Sequence, residues 1–177
     1  VLETLGNTPL VKLRRYHPEG ALLAGKVEYF NPGSSVKDRI GIAMIEAAER
    51  EGKLRPGMTI VEPTSGNTGL GLAIAAILRG YKLVCTAPSK IPKEKVAMLE
   101  AHGARVVICP VDVSLDDPRS YTKTAERIRD GWYQLPGSTD YYGDDKTGTA
   151  IIGSVAGVGA LQDIDQLALV RPHVKSA

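Results

Sequence analysis

Thr59-Ile60-Val61-Glu62-Pro63-Thr64-Ser65-Gly66-Asn67-Thr68-Gly69 runs directly into Leu70-Gly71-Leu72-Ala73-Ile74-Ala75-Ala76-Ile77-Leu78, and this junction decides the fold. The first four residues read as a short strand. The last nine are apolar almost all round, as in a buried helix. Between them lies a loop of small and polar residues. The order is therefore strand, loop, helix, the half-unit of a parallel α/β sheet. Gly66 and Gly69 let a ligand approach the backbone. The loop N–H groups and the helix N-terminus point at one space, which suits an anion, and a phosphate or a carboxylate serves equally. Thr64, Ser65 and Thr68 add hydroxyls, and the Asn67 amide both donates and accepts. The alternative is an ordinary strand-to-helix turn with a Ser/Thr cap.

Upstream, Asn31-Pro32-Gly33-Ser34-Ser35-Val36-Lys37-Asp38-Arg39 repeats the pattern of small-residue loop into helix. Ser35 is a good N-cap, and Asp38 three residues on would complete a capping box. That spacing puts Lys37 in the first turn. Ile40, Gly41 and Met44 follow at helical intervals, so Lys37 shares an inward apolar stripe. Desolvation and the positive end of the helix both disfavour its charge and lower its pKa. A neutral amine in a dry pocket is the nucleophile that forms a Schiff base with an aldehyde cofactor. The other reading is a stem packed inward with its ammonium reaching water.

Further outward the same alternation continues. Residues 22–29 read as a strand and 36–51 as a helix stopped by Gly52. A strand follows at 82–87, ended by Pro88, then a helix with Val96 and Leu99 that stops at Gly103. Residues 106–109 form a fourth strand, ended by Pro110. Asp117-Pro118-Arg119-Ser120 opens a helix with Tyr121, Ala125 and Ile128 on one face. Strands joined by helices imply a three-layer αβα arrangement around a mostly parallel sheet. Ligands in such sheets sit beyond the carboxyl ends of the strands, where residues 64–68 lie. Lys37 can reach the same edge.

Composition narrows the function. The chain has 177 residues, 43% of them hydrophobic, with a net charge of +2 from 22 basic and 20 acidic residues. No basic block stands out, which argues against nucleic acid. Aromatics make up only 5%, so an aromatic-lined groove is not expected. Cys85 and Cys109 fall in apolar runs and read as buried thiols. Three scattered histidines without a CxxC give a metal no ligand set. The longest apolar run is too short and glycine-rich to span a membrane, and no signal peptide is recognised, so the cytosol is the expected compartment.

Three runs, Leu5-Gly6-Asn7-Thr8-Pro9-Leu10-Val11, Asn31 to Arg39 and Glu62 to Gly69, resemble in order and spacing the pyridoxal-phosphate enzymes of the β-replacement group, the cysteine synthase and cystathionine β-synthase family. The resemblance covers residues 2–128. It implies the fold type II architecture, similar to the tryptophan synthase β subunit, with pyridoxal 5'-phosphate as cofactor. By this resemblance Lys37 is the Schiff-base lysine that also moves the substrate's α-proton. Asn67 hydrogen-bonds the cofactor's ring hydroxyl. Thr64, Ser65, Gly66, Asn67 and Thr68 close on the substrate's α-carboxylate. Asp38 and Arg39 match structural positions. Lys93-Glu94-Lys95-Val96 and Asp116-Asp117-Pro118-Arg119-Ser120-Tyr121 look like the cystathionine branch, which joins serine to homocysteine. Cysteine synthase, which joins O-acetylserine to sulfide, is the alternative. The resemblance further implies small amino-acid and thiol substrates and a homodimer. It leads us to expect neither a haem-binding N-terminal extension nor a C-terminal regulatory pair in this chain.

After residue 128 the resemblance fades. Val155-Ala156-Gly157-Val158-Gly159-Ala160 is similar to the strand before the family's phosphate loop, but Leu161-Gln162 follow where glycines and threonines belong. The expectation is an incomplete second domain: residues 1–35 and 129–177 as the remnant of a larger cofactor-binding domain, and 36–128 as a smaller αβα domain carrying the substrate loop. A chain so shortened could instead be an inactive interaction module.

Overall fold

The computed structural model describes residues 1–15, 22–64 and 66–130, and the backbone of 149–151. A hairpin comes first: β1 (Leu10–Lys12) pairs antiparallel with β2 (Ala24–Lys26), Val11 opposite Gly25. Then follow α1 (Lys37–Arg50), β3 (Thr59–Pro63), α2 (Asn67–Arg79), β4 (Lys82–Pro88), α3 (Lys93–Ala101), β5 (Ala104–Cys109), α4 (Tyr121–Arg129) and β6 (Thr149–Ile151). Strands β3 to β6 build a four-stranded sheet in the order β5-β4-β3-β6, parallel throughout.

Alternation along each strand divides the core in two. Ile60, Leu83 and Cys85 face a cluster that contains Ile40, Met44 and Ile45 of α1, Leu72 and Ala76 of α2, and Leu99 of α3. Val61, Val84, Val107 and Cys109 face the opposite cluster, with Ala125 and Ile128 of α4. Helices thus cover both faces, which is why the strands read as continuous apolar runs. The expected three-layer αβα fold is present. Gly80 ends α2 at φ 77°, a left-handed cap whose N–H reaches the carbonyls of Ala76 and Ile77.

Helices α1 and α2 cross backbone to backbone. A Cβ added at Gly41 would sit 2.4 Å from the Gly71 carbonyl carbon, and one added at Gly71 would sit 2.6 Å from the Lys37 carbonyl oxygen. No side chain larger than hydrogen fits either place. This contact fixes the start of α1 against the body of α2.

Two sequence expectations need correction. The strand expected at 22–29 is only three residues long and lies outside the parallel sheet. Beyond it the chain turns, with Phe30 and Asn31 amides donating to the Val27 and Glu28 carbonyls. These local bonds replace ladder bonds because Glu28 is drawn inward by Arg39, Thr8 and Asn31. The capping box at Ser35 and Asp38 also does not close. Ser35 Oγ accepts the Lys37 amide at 3.1 Å, as expected of a cap, but the Asp38 carboxylate reaches the Gly33 amide instead. Burial pushes the Asp38 carboxyl above the usual carboxylate range, against the Gly33 bond that pulls it down.

Candidate functional site

Lys37 is the first residue of α1, held by its main-chain bond to Ser35 and by the Gly71 crossing. It is half-buried, wetter than the apolar stripe suggested. No described residue hydrogen-bonds or ion-pairs with its ammonium.

The turn into α1 is braced from behind. Arg39, 8% exposed, donates Nε to Glu28 at 3.0 Å and Nη2 to Thr8 Oγ1 at 3.2 Å. Thr8 in turn donates to Glu28 at 2.8 Å. Asn31 donates Nδ2 to the carbonyls of Glu28 and Ser35 and accepts the Gly6 amide at 2.8 Å. The Arg39 guanidinium, chiefly, holds the Glu28 carboxyl down at about 2. The network ties the segment around Gly6 and Asn7, both at positive φ, to the start of α1. Arg39 and Asp38 thus have the structural part that the motif implied. Glu28, Thr8 and Asn31 were not singled out from the sequence, although Thr8 and Asn31 stand inside the quoted runs.

The second loop sits at the carboxyl end of β3. Thr64 is buried and its amide donates to the Thr86 carbonyl of β4 at 3.0 Å. Ser65, named with this loop, lies outside the described residues. Gly66 caps α2 in extended conformation, φ −122° and ψ −162°, and a Cβ there would meet nothing within 4 Å. The space before the helix is open. Gly69 has a different reason: a Cβ there would come within 2.7 Å of Thr64 Cγ2, so it serves packing inside the turn and not ligand approach. Thr68 is half-buried and Asn67 exposed at the first turn, whose amides have no partner within the helix.

The two loops meet. Asn67 Nδ2 donates to Ser35 Oγ at 3.4 Å, and Asn67 Oδ1 accepts Lys95 Nζ from α3 at 3.0 Å. Lys37, Asn67 and Lys95 therefore open three neighbouring helices around one place. Sequence reading missed Lys95 as a site residue; it had served only as a branch mark. No pattern within one segment signals a contact made between helices.

Along the same sheet edge, Ser89 donates its amide to Cys109, and a cleft of about 320 Å³ opens between Pro88, Lys90, Pro110, Leu115, Ser120 and Tyr121. Both cysteines are free and buried, as expected, and burial pushes the Cys85 thiol up to about 12. Neither is a nucleophile at neutral pH. Among the described residues no three His, Cys, Asp or Glu side chains are grouped to hold a metal, and no helix is long and apolar enough to cross a membrane.

Comparison with known proteins gives a consistent result. The profile of a family described as pyridoxal-phosphate dependent enzyme matches residues 1–167. Cystathionine beta-synthase of Rattus norvegicus is 46% identical over 141 residues, 78% of this chain and 25% of that protein. The Dictyostelium discoideum cystathionine beta-synthase is 42% identical over 147 residues, 81% of this chain and 29% of that protein. The chain thus spans about a quarter of the length of the curated relatives it matches. Among solved structures, O-ureido-L-serine synthase superposes with a TM-score of 0.65 at 39% identity, over 75% of this chain and 42% of that one.

Proposed function

Because the chain belongs to the pyridoxal-phosphate-dependent enzyme family, we propose that it takes part in β-replacement on L-serine or an activated serine, with serine and homocysteine giving cystathionine and water as the first choice. The relatives named cystathionine beta-synthase, at 42–46% identity, favour this acceptor over sulfide. The observation that carries the proposal is the meeting of Lys37 and Asn67 at the starts of α1 and α2, bridged by Ser35.

The residues present fit the aldehyde and ring of pyridoxal 5'-phosphate: an amine without a partner among the described residues, and an amide joined to the same turn through Ser35. Val155–Ala160, which resembles the strand before the family's phosphate loop and is not followed by that loop's glycines and threonines, lies outside the described residues. When bound, the cofactor supplies an electron sink for the charge left at the substrate's α-carbon. Lys37 Nζ would hold the aldehyde carbon, and as a free amine it would take the substrate's α-proton. The first-turn amides of α2, with Thr64, Gly66 and Thr68, and with Ser65, hold the α-carboxylate. Asn67 would orient the ring. In the net exchange the β C–O bond breaks, the C–S bond forms, and the thiol proton leaves with the hydroxyl as water.

We extend the proposal to the surroundings. Residues 36–128 form the smaller domain, and 1–35 with 129–177 belong to the larger one; the separate hairpin sheet supports the division at its first boundary, whereas β6 pairs with β3 inside the sheet of the smaller domain and argues against it at the second. Leu10, Val11, Leu22 and Leu23 expose apolar surface on that hairpin, which supports a homodimer. Two buried free thiols suit the cytosol.

Borohydride reduction in the presence of pyridoxal phosphate, followed by peptide mass mapping, tests the centre. The adduct is expected on Lys37, and an adduct on another lysine overturns the assignment. A competition of serine with O-acetylserine against both thiol acceptors decides the branch. Absence of Schiff-base absorbance with added cofactor would favour the interaction module.

A further inference from the structure

Lys95 is the third residue of α3, at the positive end of a helix, where a cation is disfavoured unless something draws it. Its partner is the Asn67 Oδ1 atom at 3.0 Å. On the other side of the same amide, Nδ2 faces Ser35 Oγ at 3.4 Å. These two contacts are not equivalent. A serine hydroxyl accepts or donates, so Ser35 would satisfy either edge of the amide. Lysine has three donors and no acceptor. Only the orientation with Oδ1 toward α3 satisfies Lys95, and that orientation leaves both Nδ2 hydrogens on the side of Ser35 and α1.

We propose that Lys95 is a positioning residue that fixes Asn67 as a hydrogen-bond donor facing the start of α1, through the Lys95–Asn67–Ser35 chain. The inference deepens the proposed role of Asn67 toward the cofactor and rests on that reading for its functional consequence. A ring oxygen carrying negative charge needs a donor there, and a reversed amide would offer it a lone pair. Ser35 also accepts the Lys37 amide at 3.1 Å, so one hydroxyl ties the orientation of Asn67 to the position of Lys37.

The test compares Lys95→Met, which keeps the stem and removes the donors, with Lys95→Arg, which keeps a donor-only head. In the cofactor-free protein, the Asn67 side-chain amide should give one set of NMR resonances in the wild type and in Lys95→Arg. Lys95→Met should give two sets or an averaged one. With pyridoxal phosphate as probe, Lys95→Met should bind about tenfold more weakly, as expected for one lost charge-assisted bond, and its absorbance should shift toward the tautomer with a neutral ring oxygen. Lys95→Arg should restore both. Asn67 resonances identical in the wild type and Lys95→Met overturn the proposal, and so does failure of Lys95→Arg to restore them. If the wild type fails to form an adduct at Lys37, the functional reading fails, while the cofactor-free amide measurement still decides the part of Lys95. Amide exchange in α3 shows whether Lys95→Met is folded, and the Lys95→Arg arm stands if it is not.

Discussion

A lysine, an asparagine and a buried arginine show how differently single residues report their roles. Lys37 and Asn67 lie in short runs of unusual composition, and their residue types alone suggest nucleophile and amide donor. Replacing Asn67 by Ala removes bonds to charged or polarised oxygens worth about 1.5–3 kcal/mol each. An absorbance titration with pyridoxal phosphate should show weakened binding, and serine should bind more weakly to the loaded protein. Arg39 looks like an ordinary helix cation in sequence, yet its part is set by Glu28, eleven residues earlier. Because the Glu28 carboxyl is depressed to about 2 from 4.5, its contribution to stability is full above pH 4.5 and is lost as pH falls from there toward 2. Asp38, raised by burial, works in the opposite sense and favours the fold at low pH. Glu28→Gln should therefore lower stability at pH 7 and flatten its loss between pH 4.5 and 2, as read by urea unfolding at each pH. An unchanged acid limb would show that the Arg39 pair is not what acid breaks.

Between elements, the decisive feature is the crossing of α1 and α2. Gly41 and Gly71 appear in sequence as glycines inside helical runs, where each costs about 1 kcal/mol relative to alanine. The structure gives the reason: two backbones in contact, with Lys37 set against Gly71 in the body of α2. Gly71→Ala should force the helices apart and destabilise by about 1–3 kcal/mol or more, since the clash is with backbone. Gly66→Ala, at negative φ with nothing within 4 Å, should stay within about 0.5 kcal/mol. Chemical denaturation of the pair checks the contrast, and equal effects would refute it. At α4, Ser120 accepts the Lys123 amide at 3.1 Å and donates to the Leu115 carbonyl at 2.8 Å. Ser120→Ala should cost about 1–2 kcal/mol by the same measurement. The helix ends were legible because caps are local: the stop of α1 before Gly52 and that of α3 before Gly103, both at positive φ, are written in adjacent residues. The hairpin was not, because 22–29 has strand composition throughout and only the pull on Glu28 ends the strand at Lys26.

At the scale of the molecule, one sheet with helices on both faces accounts for the core, while the hairpin leaves apolar side chains uncovered. Leu10 and Leu22 are 69% and 73% exposed. If they form the proposed dimer contact, sedimentation at micromolar concentration should show a dimer, and Leu10→Lys with Leu22→Lys should give a monomer of unchanged far-ultraviolet circular dichroism. A monomeric wild type would sink the assembly proposal. The sequence by itself determined the alternation of strands and helices, the parallel sheet and the two loops at its edge. Each of these follows from apolar periodicity, glycine and proline punctuation, and caps, all properties of neighbouring residues. Tertiary structure alone decided which side chains support them: Glu28 under Arg39, Gly71 against Lys37, and Lys95 on Asn67 across 28 residues. Such pairings depend on how helices cross and which loops meet over the sheet, and no local pattern carries the distance between residues far apart in the chain.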